Sequence, residues 1–182
     1  LMVANVQHRK GIKPLLRALS KRARIPGFSL TIAGSLDLEP EYAHSCLEFI
    51  ENNPYLKEVI HFSGPKSPEE VIQLYEQSNL YISTAFMETY GMSLQEASAM
   101  GLPLLVLDGG NAGNHVKDGE NGFVLPDIHS LVAQLQQLAI DVESFEEVGR
   151  RAVSLAEKEG YSWKTAAEKL KLGILNYELG WA

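Results

Sequence analysis

Glu88-Thr-Tyr-Gly-Met-Ser-Leu-Gln-Glu96 carries two carboxylates with seven residues between them, and Ala97-Ser-Ala-Met-Gly101-Leu-Pro103 comes directly after. A glycine and the signs of a helix start lie between the acids. A helix N-terminus offers unpaired backbone N–H groups and a partial positive charge to a phosphate. Flanking carboxylates accept charge-assisted hydrogen bonds from hydroxyls, which are the strong kind. The layout suits a ligand with hydroxyl-rich ends and an anionic middle, as in a sugar nucleotide. Two glutamates at this spacing on an ordinary surface helix are merely solvated, so the neighbours decide. Leu80-Tyr-Ile-Ser83 before them and Leu104-Leu-Val-Leu107 after them are short apolar runs of strand character. The acids thus fall in one strand–loop–helix–strand unit, where α/β proteins hold their ligands.

Positioning such residues takes alternating apolar runs and amphipathic stretches. Met2 to Asn5 reads as a strand, and Ile12 to Arg24 as a helix with Ile12, Leu15, Leu16 and Leu19 on one side. Pro26-Gly27 breaks that helix, and Phe28-Ser-Leu-Thr-Ile-Ala33 is a second strand ending at Gly34. Glu41 to Asn53 places Tyr42, Cys46, Leu47 and Ile50 at helical spacing, before a third strand at Val59-Ile-His-Phe62. Ser67-Pro68-Glu69-Glu70 starts a helix to about Gln77: serine caps, proline suits the first position, and Glu70 closes a capping box. The strand at Leu80 leads to a helix from Met92 to Met100, stopped by Gly101. Next come the strand at Leu104, a loop at Gly109–Gly113 and a last strand at Gly122-Phe-Val-Leu125. Asp127 to Leu179 reads as helical, with breaks near Asp141 and Gly160 and Ser162 capping the final helix.

Short strands separated by helices predict an α/β fold, a Rossmann-like doubly wound parallel sheet of about six strands. The loops after Asn5, Ala33, Phe62, Ser83 and Leu107 then meet at the carboxyl ends of the strands, where ligands sit. The 182 residues suffice for one domain with a proper core. Hydrophobic content of 45% and charged content of 21% are those of a soluble globular chain. The net charge of −7 argues against nucleic acid, which calls for a basic face, and leaves an anionic ligand to local groups. The apolar run from Leu102 to Leu107 is too short to span a bilayer.

The single Cys46 excludes an internal disulfide and a cysteine-cluster metal site, and it fits a reducing compartment; a cytoplasmic location is the expectation. His8, His44, His61, His115 and His129 show no metal-ligand spacing, and only His115 falls in a loop near the expected ligand. Asp37-Leu-Glu39 reads as a loop-to-helix cap rather than a metal pair, so no metal is expected. Leu1-Met-Val-Ala4 opens directly on a strand-like segment, which is read as the start of a fragment.

Other pieces join the paired glutamates in a fixed order. They are Lys10-Gly11, Ile32-Ala-Gly34, His61-Phe-Ser-Gly64, Gly101-Leu-Pro103, Gly109-Gly110, Asp118-Gly119-Glu-Asn121-Gly122 and Tyr161-Ser162-Trp163. Together they resemble the C-terminal, donor-binding domain of retaining GT-B glycosyltransferases of the family-4 type, the group 1 transferases. The resemblance covers nearly the whole chain. It implies that residues 1–182 form a nucleotide-sugar binding domain, one half of a GT-B fold, with the N-terminal acceptor domain absent from this chain.

The same resemblance assigns site residues. Glu88 stands near the transferred sugar, and Glu96 accepts hydrogen bonds from the ribose. Gly91, Met92 and Ser93 present backbone N–H groups to the sugar or diphosphate, glycine allowing close backbone approach. Leu94 packs against the nucleoside, Gly34 and Gly64 line the donor, and Pro65 and Lys66 lie beside the base. Lys10 stabilises the charge developing on the departing diphosphate. An arginine common in the family is replaced by Asn5, with Arg9 as the candidate substitute. Thr84-Ala85 stands where proline-serine is frequent, and Asn114 where a glutamate is.

The implied chemistry is sugar transfer from a nucleoside diphosphate sugar to an acceptor hydroxyl with retention, needing no cofactor. No nucleophile with a partnered base is visible; the donor phosphate helps deprotonate the acceptor. The acceptor, a glycan, lipid or other hydroxyl compound, belongs mainly to the missing half, as would any membrane contact. Two other readings share the fold: a GT-B-fold sugar-nucleotide epimerase and a non-enzymatic nucleotide-binding α/β module.

Overall fold

A computed structural model describes residues 1–158 of the chain. In chain order the elements are β1 (Met2–Val3), α1 (Ile12–Ser20), β2 (Leu30–Ala33), α2 (Pro40–Glu51), α3 (Pro54–Val59), β3 (Ile60–Gly64), α4 (Pro68–Glu76), β4 (Tyr81–Ser83), α5 (Met92–Ala99), β5 (Leu104–Leu107), β6 (Gly122–Leu125), α6 (Ile128–Ile140) and α7 (Val142–Lys158). Single 3-10 turns occur at His8–Lys10 and Ala112–His115.

All strand pairs are parallel, in two ladders ordered β1-β2-β3 and β4-β5-β6. The ladders meet where the Ile82 N–H donates to the Leu1 carbonyl at 2.8 Å. The spatial order is therefore 3-2-1-4-5-6, the doubly wound arrangement with its switch point between β1 and β4. Because side chains alternate along a strand, the central strands feed two cores. Ile82, Leu105 and Leu107 pack with Leu15 and Leu16 of α1 and Leu131 of α6 on one face. Tyr81, Leu104 and Val106 pack with Tyr75 of α4 and Leu94 and Ala97 of α5 on the other. All four residues of β5 are buried, as two covered faces require. The fully buried Leu15, Leu16 and Leu19 each stabilise the α1 face by about 1.5–3 kcal/mol.

Helix starts obey local chemistry. The Ser67 hydroxyl accepts from Glu70 N–H (3.3 Å) while Glu70 Oε2 accepts from Ser67 N–H (2.8 Å), the capping box expected for α4. Asp127 Oδ1 caps α6 through the N–H groups of His129 and Ser130, each at 2.8 Å. The break expected near Asp141 separates α6 from α7.

Several boundaries differ from those expected of the sequence. The first helix stops at Ser20 rather than Arg24. The expected helix 41–53 is succeeded by a separate one, α3, because Asn53 Oδ1 accepts from Leu56 N–H (3.0 Å) and Pro54 fits the first turn. Glu39, at the N-cap position of α2, makes no side-chain cap; its carboxylate instead accepts from the His8 backbone N–H (2.9 Å). Asp37 bonds Ser35, so the cap expected of this acidic pair is not formed. The break at Gly160, the cap at Ser162 and the Tyr161-Ser162-Trp163 motif lie outside the described residues.

Candidate functional site

At the switch point the chain leaves β1 toward α1 on one face and β4 toward α5 on the other. Two residues lean into the gap between. Lys10 Nζ donates to Glu88 Oε2 at 2.8 Å, with only 15% and 12% of the two side chains exposed. The spacing in sequence is 78 residues.

The approach depends on Gly11. It sits at φ +67°, and a Cβ there would lie 2.2 Å from the Thr84 carbonyl oxygen, so only glycine lets the two loops touch. The buried Thr84 adds its hydroxyl, which donates to the Lys10 carbonyl at 2.7 Å. The Phe86 N–H donates to the Arg9 carbonyl at 3.0 Å. Thr84 thus ties the lysine loop to the glutamate loop.

Glu88 is held at both oxygens. Oε1 accepts the Gly91 N–H at 3.2 Å while Oε2 takes Lys10. Burial pushes its pKa up, but the Lys10 hydrogen bond and charge, the Gly91 N–H and the charge of Arg9 together hold it below the usual carboxylate value. Glu88 is therefore a fixed anion at neutral pH. Of the roughly four acceptor positions on a carboxylate, two are occupied, so hydroxyl donors can still be accepted. Lys10 likewise spends one of three N–H donors on Glu88.

Gly91, at φ +68°, is the N-cap of α5, and no side chain caps that helix. The N–H groups of its first turn, Met92, Ser93 and Leu94, precede the first intrahelical bond, Gln95 N–H to Gly91 O at 2.9 Å. They are oriented donors with the positive end of the helix behind them. A small pocket of about 10 Å³, room for about one water, is lined by Ala4, Lys10, Thr84, Glu88 and Ser93. A larger cavity, about 410 Å³, lies at the amino ends of the strands among Leu1, Leu30 and Leu80, on the wrong side of the sheet for this chemistry.

Glu96 stands on α5 beside α4. Its Oε2 accepts from the Tyr75 hydroxyl at 2.9 Å, and the same hydroxyl lies 3.2 Å from the Ser93 carbonyl. Burial raises the Glu96 pKa against the opposing Tyr75 hydrogen bond, and burial raises that of Tyr75 well above its usual value. The two acids of the motif thus have opposite electrostatics: one paired and depressed, the other bonded to a hydroxyl and raised.

The other expected residues take more varied places. Asn5 Oδ1 accepts from Ser35 N–H at 2.9 Å, tying the end of β1 to the end of β2. The Gly34 N–H donates to the Gly64 carbonyl at 3.0 Å, and a Cβ on Gly34 would meet the Ala4 carbonyl oxygen at 2.2 Å, so this glycine serves the packing of strand ends. The exposed Arg9 donates to Gln7 at 3.3 Å. Pro65 is exposed, and Lys66 bonds Glu70 at 3.2 Å on the first turn of α4. Met92, the first residue of α5, is largely exposed.

One assignment needs correction. Leu94 is 1% exposed and packs with Tyr75, Tyr81 and Leu104, leaving no side-chain surface for a nucleoside; what it can offer is its backbone N–H. Tyr75, and the structural part played by Asn121, were not foreseen from the sequence. Asn121 is buried, accepts from Lys117 N–H (2.7 Å) and donates to the His115 carbonyl (3.1 Å), which shapes the loop before β6. Among the described residues no group of three or more His, Cys, Asp or Glu is arranged to hold a metal. No helix among them is long and apolar enough to cross a membrane.

A doubly wound sheet with a lysine–glutamate pair at its switch point and an uncapped helix start beside it is a Rossmann-like domain whose strand-end crevice presents a cation, a carboxylate and free amides. The family model of the glycosyl transferases group 1 matches residues 1–154, and the chain belongs to that family. It is 27% identical over 176 residues to the D-inositol 3-phosphate glycosyltransferase of Paenarthrobacter aurescens, covering 94% of this chain and 42% of the relative. The corresponding enzyme of Corynebacterium diphtheriae is 32% identical over 115 residues, 62% of this chain and 26% of the relative. Among solved structures, Anabaena HepE in complex with UDP superposes with a TM-score of 0.75 at 20% identity, covering 96% of this chain and 48% of that one. A glycosyltransferase from Rickettsia africae gives 0.74 at 22% identity, covering 100% and 48%. The chain thus spans less than half the length of these relatives.

Proposed function

We propose that this domain binds a nucleoside diphosphate sugar across the β1/β4 switch point and supplies the donor half of a retaining glycosyl transfer. The observation that carries the reading is the Lys10–Glu88 pair at 2.8 Å beside the uncapped start of α5. The diphosphate takes the free N–H donors of Lys10 and of the α5 first turn. Glu88 accepts a hydroxyl of the transferred sugar, Glu96 the ribose hydroxyls, and the loop at Gly64, Pro65 and Lys66 borders the base. In the transfer the bond from the anomeric carbon to the diphosphate breaks, and the acceptor oxygen bonds to that carbon on the same face. The acceptor proton passes to a phosphate oxygen, and the nucleoside diphosphate leaves.

On this reading the nucleotide sugar is a substrate and no resident metal or cofactor takes part. The acceptor, a glycan, lipid or other hydroxyl compound, is held mainly by the other half of the enzyme, and the protein works in the cytoplasm, touching membrane only through that half. UDP is the first nucleotide to try, since the superposing Anabaena protein carries it. Calorimetric titration with UDP, GDP and ADP tests the reading. Saturable binding of one diphosphate is expected, and the absence of heat with all three refutes it.

A further inference from the structure

Gly91 is the residue on which the backbone turns into α5, and a histidine from the loop before β6 reaches it. A Cβ on Gly91 would lie 2.6 Å from His115 Nε2 and 2.9 Å from His115 Cδ2, so the imidazole edge fills the space that glycine leaves open. The same Nε2 is 2.9 Å from the Tyr90 carbonyl oxygen. A carbonyl only accepts, so Nε2 carries the hydrogen and donates. That carbonyl and the Gly91 N–H belong to one peptide group, and the N–H donates to Glu88 Oε1 at 3.2 Å. One peptide is therefore clasped at both ends, by His115 on its oxygen and by Glu88 on its nitrogen.

Glycine explains why a clasp is needed. The φ of +68° at Gly91 favours glycine, yet glycine is the residue least able to hold its own φ and ψ. Rotation of the Tyr90–Gly91 peptide would swing the N–H away from Glu88 and tilt the amides of the first turn. The loop bearing His115 is itself anchored: the Glu88 N–H donates to Gly109 O at 3.2 Å, the Asn111 N–H to Glu88 O at 2.6 Å, and Asn121 Nδ2 to His115 O at 3.1 Å.

We infer that His115 is a positioning residue, fixing the Tyr90–Gly91 peptide so that Glu88 and the first-turn amides of α5 present themselves together to the diphosphate and sugar. The inference rests on the donor-site reading above, and the experiment separates the two. The nucleoside diphosphate that binds the wild-type chain best and its parent nucleoside are titrated into wild type, His115→Leu and His115→Gln. Leucine keeps bulk without a donor, whereas the glutamine amide restores an N–H. Diphosphate affinity is expected to fall roughly fivefold to tenfold in His115→Leu, as for one lost hydrogen bond, and to return in His115→Gln. Affinity for the nucleoside alone, which lacks the phosphates, is expected to stay constant. Equal losses for nucleoside and diphosphate, or unchanged diphosphate affinity in His115→Leu, overturn the positioning role. Failure of the wild type to bind any diphosphate overturns the donor site itself, and the positioning role with it. Should His115→Leu not fold, His115→Phe, a ring without a donor, carries the same comparison.

Discussion

Replacing Lys10 by methionine keeps the aliphatic stem and removes the charge, and the geometry of the pair sets two separate costs. One charge-assisted hydrogen bond to a diphosphate oxygen is lost, worth about 1.5–3 kcal/mol, or roughly a tenfold to hundredfold rise in Kd. A second cost appears in the free protein. With 15% and 12% of the side chains exposed, the Lys10–Glu88 pair lies between a surface pair, worth about 0–1 kcal/mol, and a buried one, where removing a partner costs about 3–5 kcal/mol. A loss of about 1–3 kcal/mol in folding stability is expected, and much of it reflects an orphaned carboxylate. The double variant Lys10→Met/Glu88→Gln, which discharges that carboxylate, is therefore expected to be more stable than Lys10→Met while still binding the diphosphate poorly.

The pH dependence has a definite sign. Lys10 holds the Glu88 pKa down against burial. A depressed carboxyl contributes stability that is complete above its unfolded pKa of about 4.3 and is lost as pH falls through the lower folded value. The stability gap between wild type and Lys10→Met is thus widest at neutral pH and narrows below about pH 4. Urea denaturation at several pH values reads the gap, and calorimetry reads the nucleotide. Unchanged affinity of Lys10→Met for UDP, GDP and ADP would remove Lys10 from the site, and a gap independent of pH would dissolve the ion-pair argument.

The same geometry sets three further outcomes. Glu96→Gln is expected to raise the melting temperature of the free domain at neutral pH, because a raised carboxyl pKa costs stability once pH passes it, and to weaken nucleotide binding; a thermal scan and a titration that both show no change would count against a ribose role. Tyr75→Phe removes the hydroxyl donor to Glu96 and is expected to cost about 1 kcal/mol of stability by urea denaturation. Gly11→Ala would place a methyl 2.2 Å from the Thr84 oxygen at φ +67°, and a loss of about 2–4 kcal/mol is expected on the same assay; a neutral variant would mean that the two loops need not touch.

Legibility from sequence extends to whatever is settled within a few residues. Ser67-Pro68-Glu69-Glu70 announces α4 because every bond of its capping box closes inside that stretch. Strand identity is legible in Leu104 to Leu107, whose unbroken apolar run means two covered faces. Asn53-Pro54 reads as an end because proline breaks a helix from within, yet the same pair starts the next one when asparagine caps it. The site assignment of Leu94 comes from resemblance, which transmits position along the chain but not which way a helix face turns; its neighbours Tyr75 and Tyr81 turn it inward. Tyr75 carries no signal, since a tyrosine at helical spacing reads as core until its hydroxyl is seen to reach Glu96. Lys10 and Glu88 each stand out in the sequence as charged residues beside a glycine turn, but their mutual hydrogen bond is not legible, because 78 residues separate them.

That pairing is a consequence of strand order rather than of either motif. The helix after β1 shares a core with Leu105 and Leu107, whereas the helix after β4 shares one with Leu104 and Val106 on the opposite face. Adjacent strands whose chains depart to opposite faces leave their ends uncovered, and a lysine from one and a glutamate from the other meet there with little competition from water. Had the helix after β4 packed on the α1 face, it would close the gap and bury the pair without access for a ligand. The glycines enforce the same geometry from below: Gly11 lets the lysine loop reach Thr84, and Gly91 lets the glutamate loop turn at once into α5. Unpaired first-turn amides, a fixed cation and a fixed carboxylate are thereby assembled without a ligand, and for the proposed diphosphate such preorganisation would keep the reorganisation on binding small.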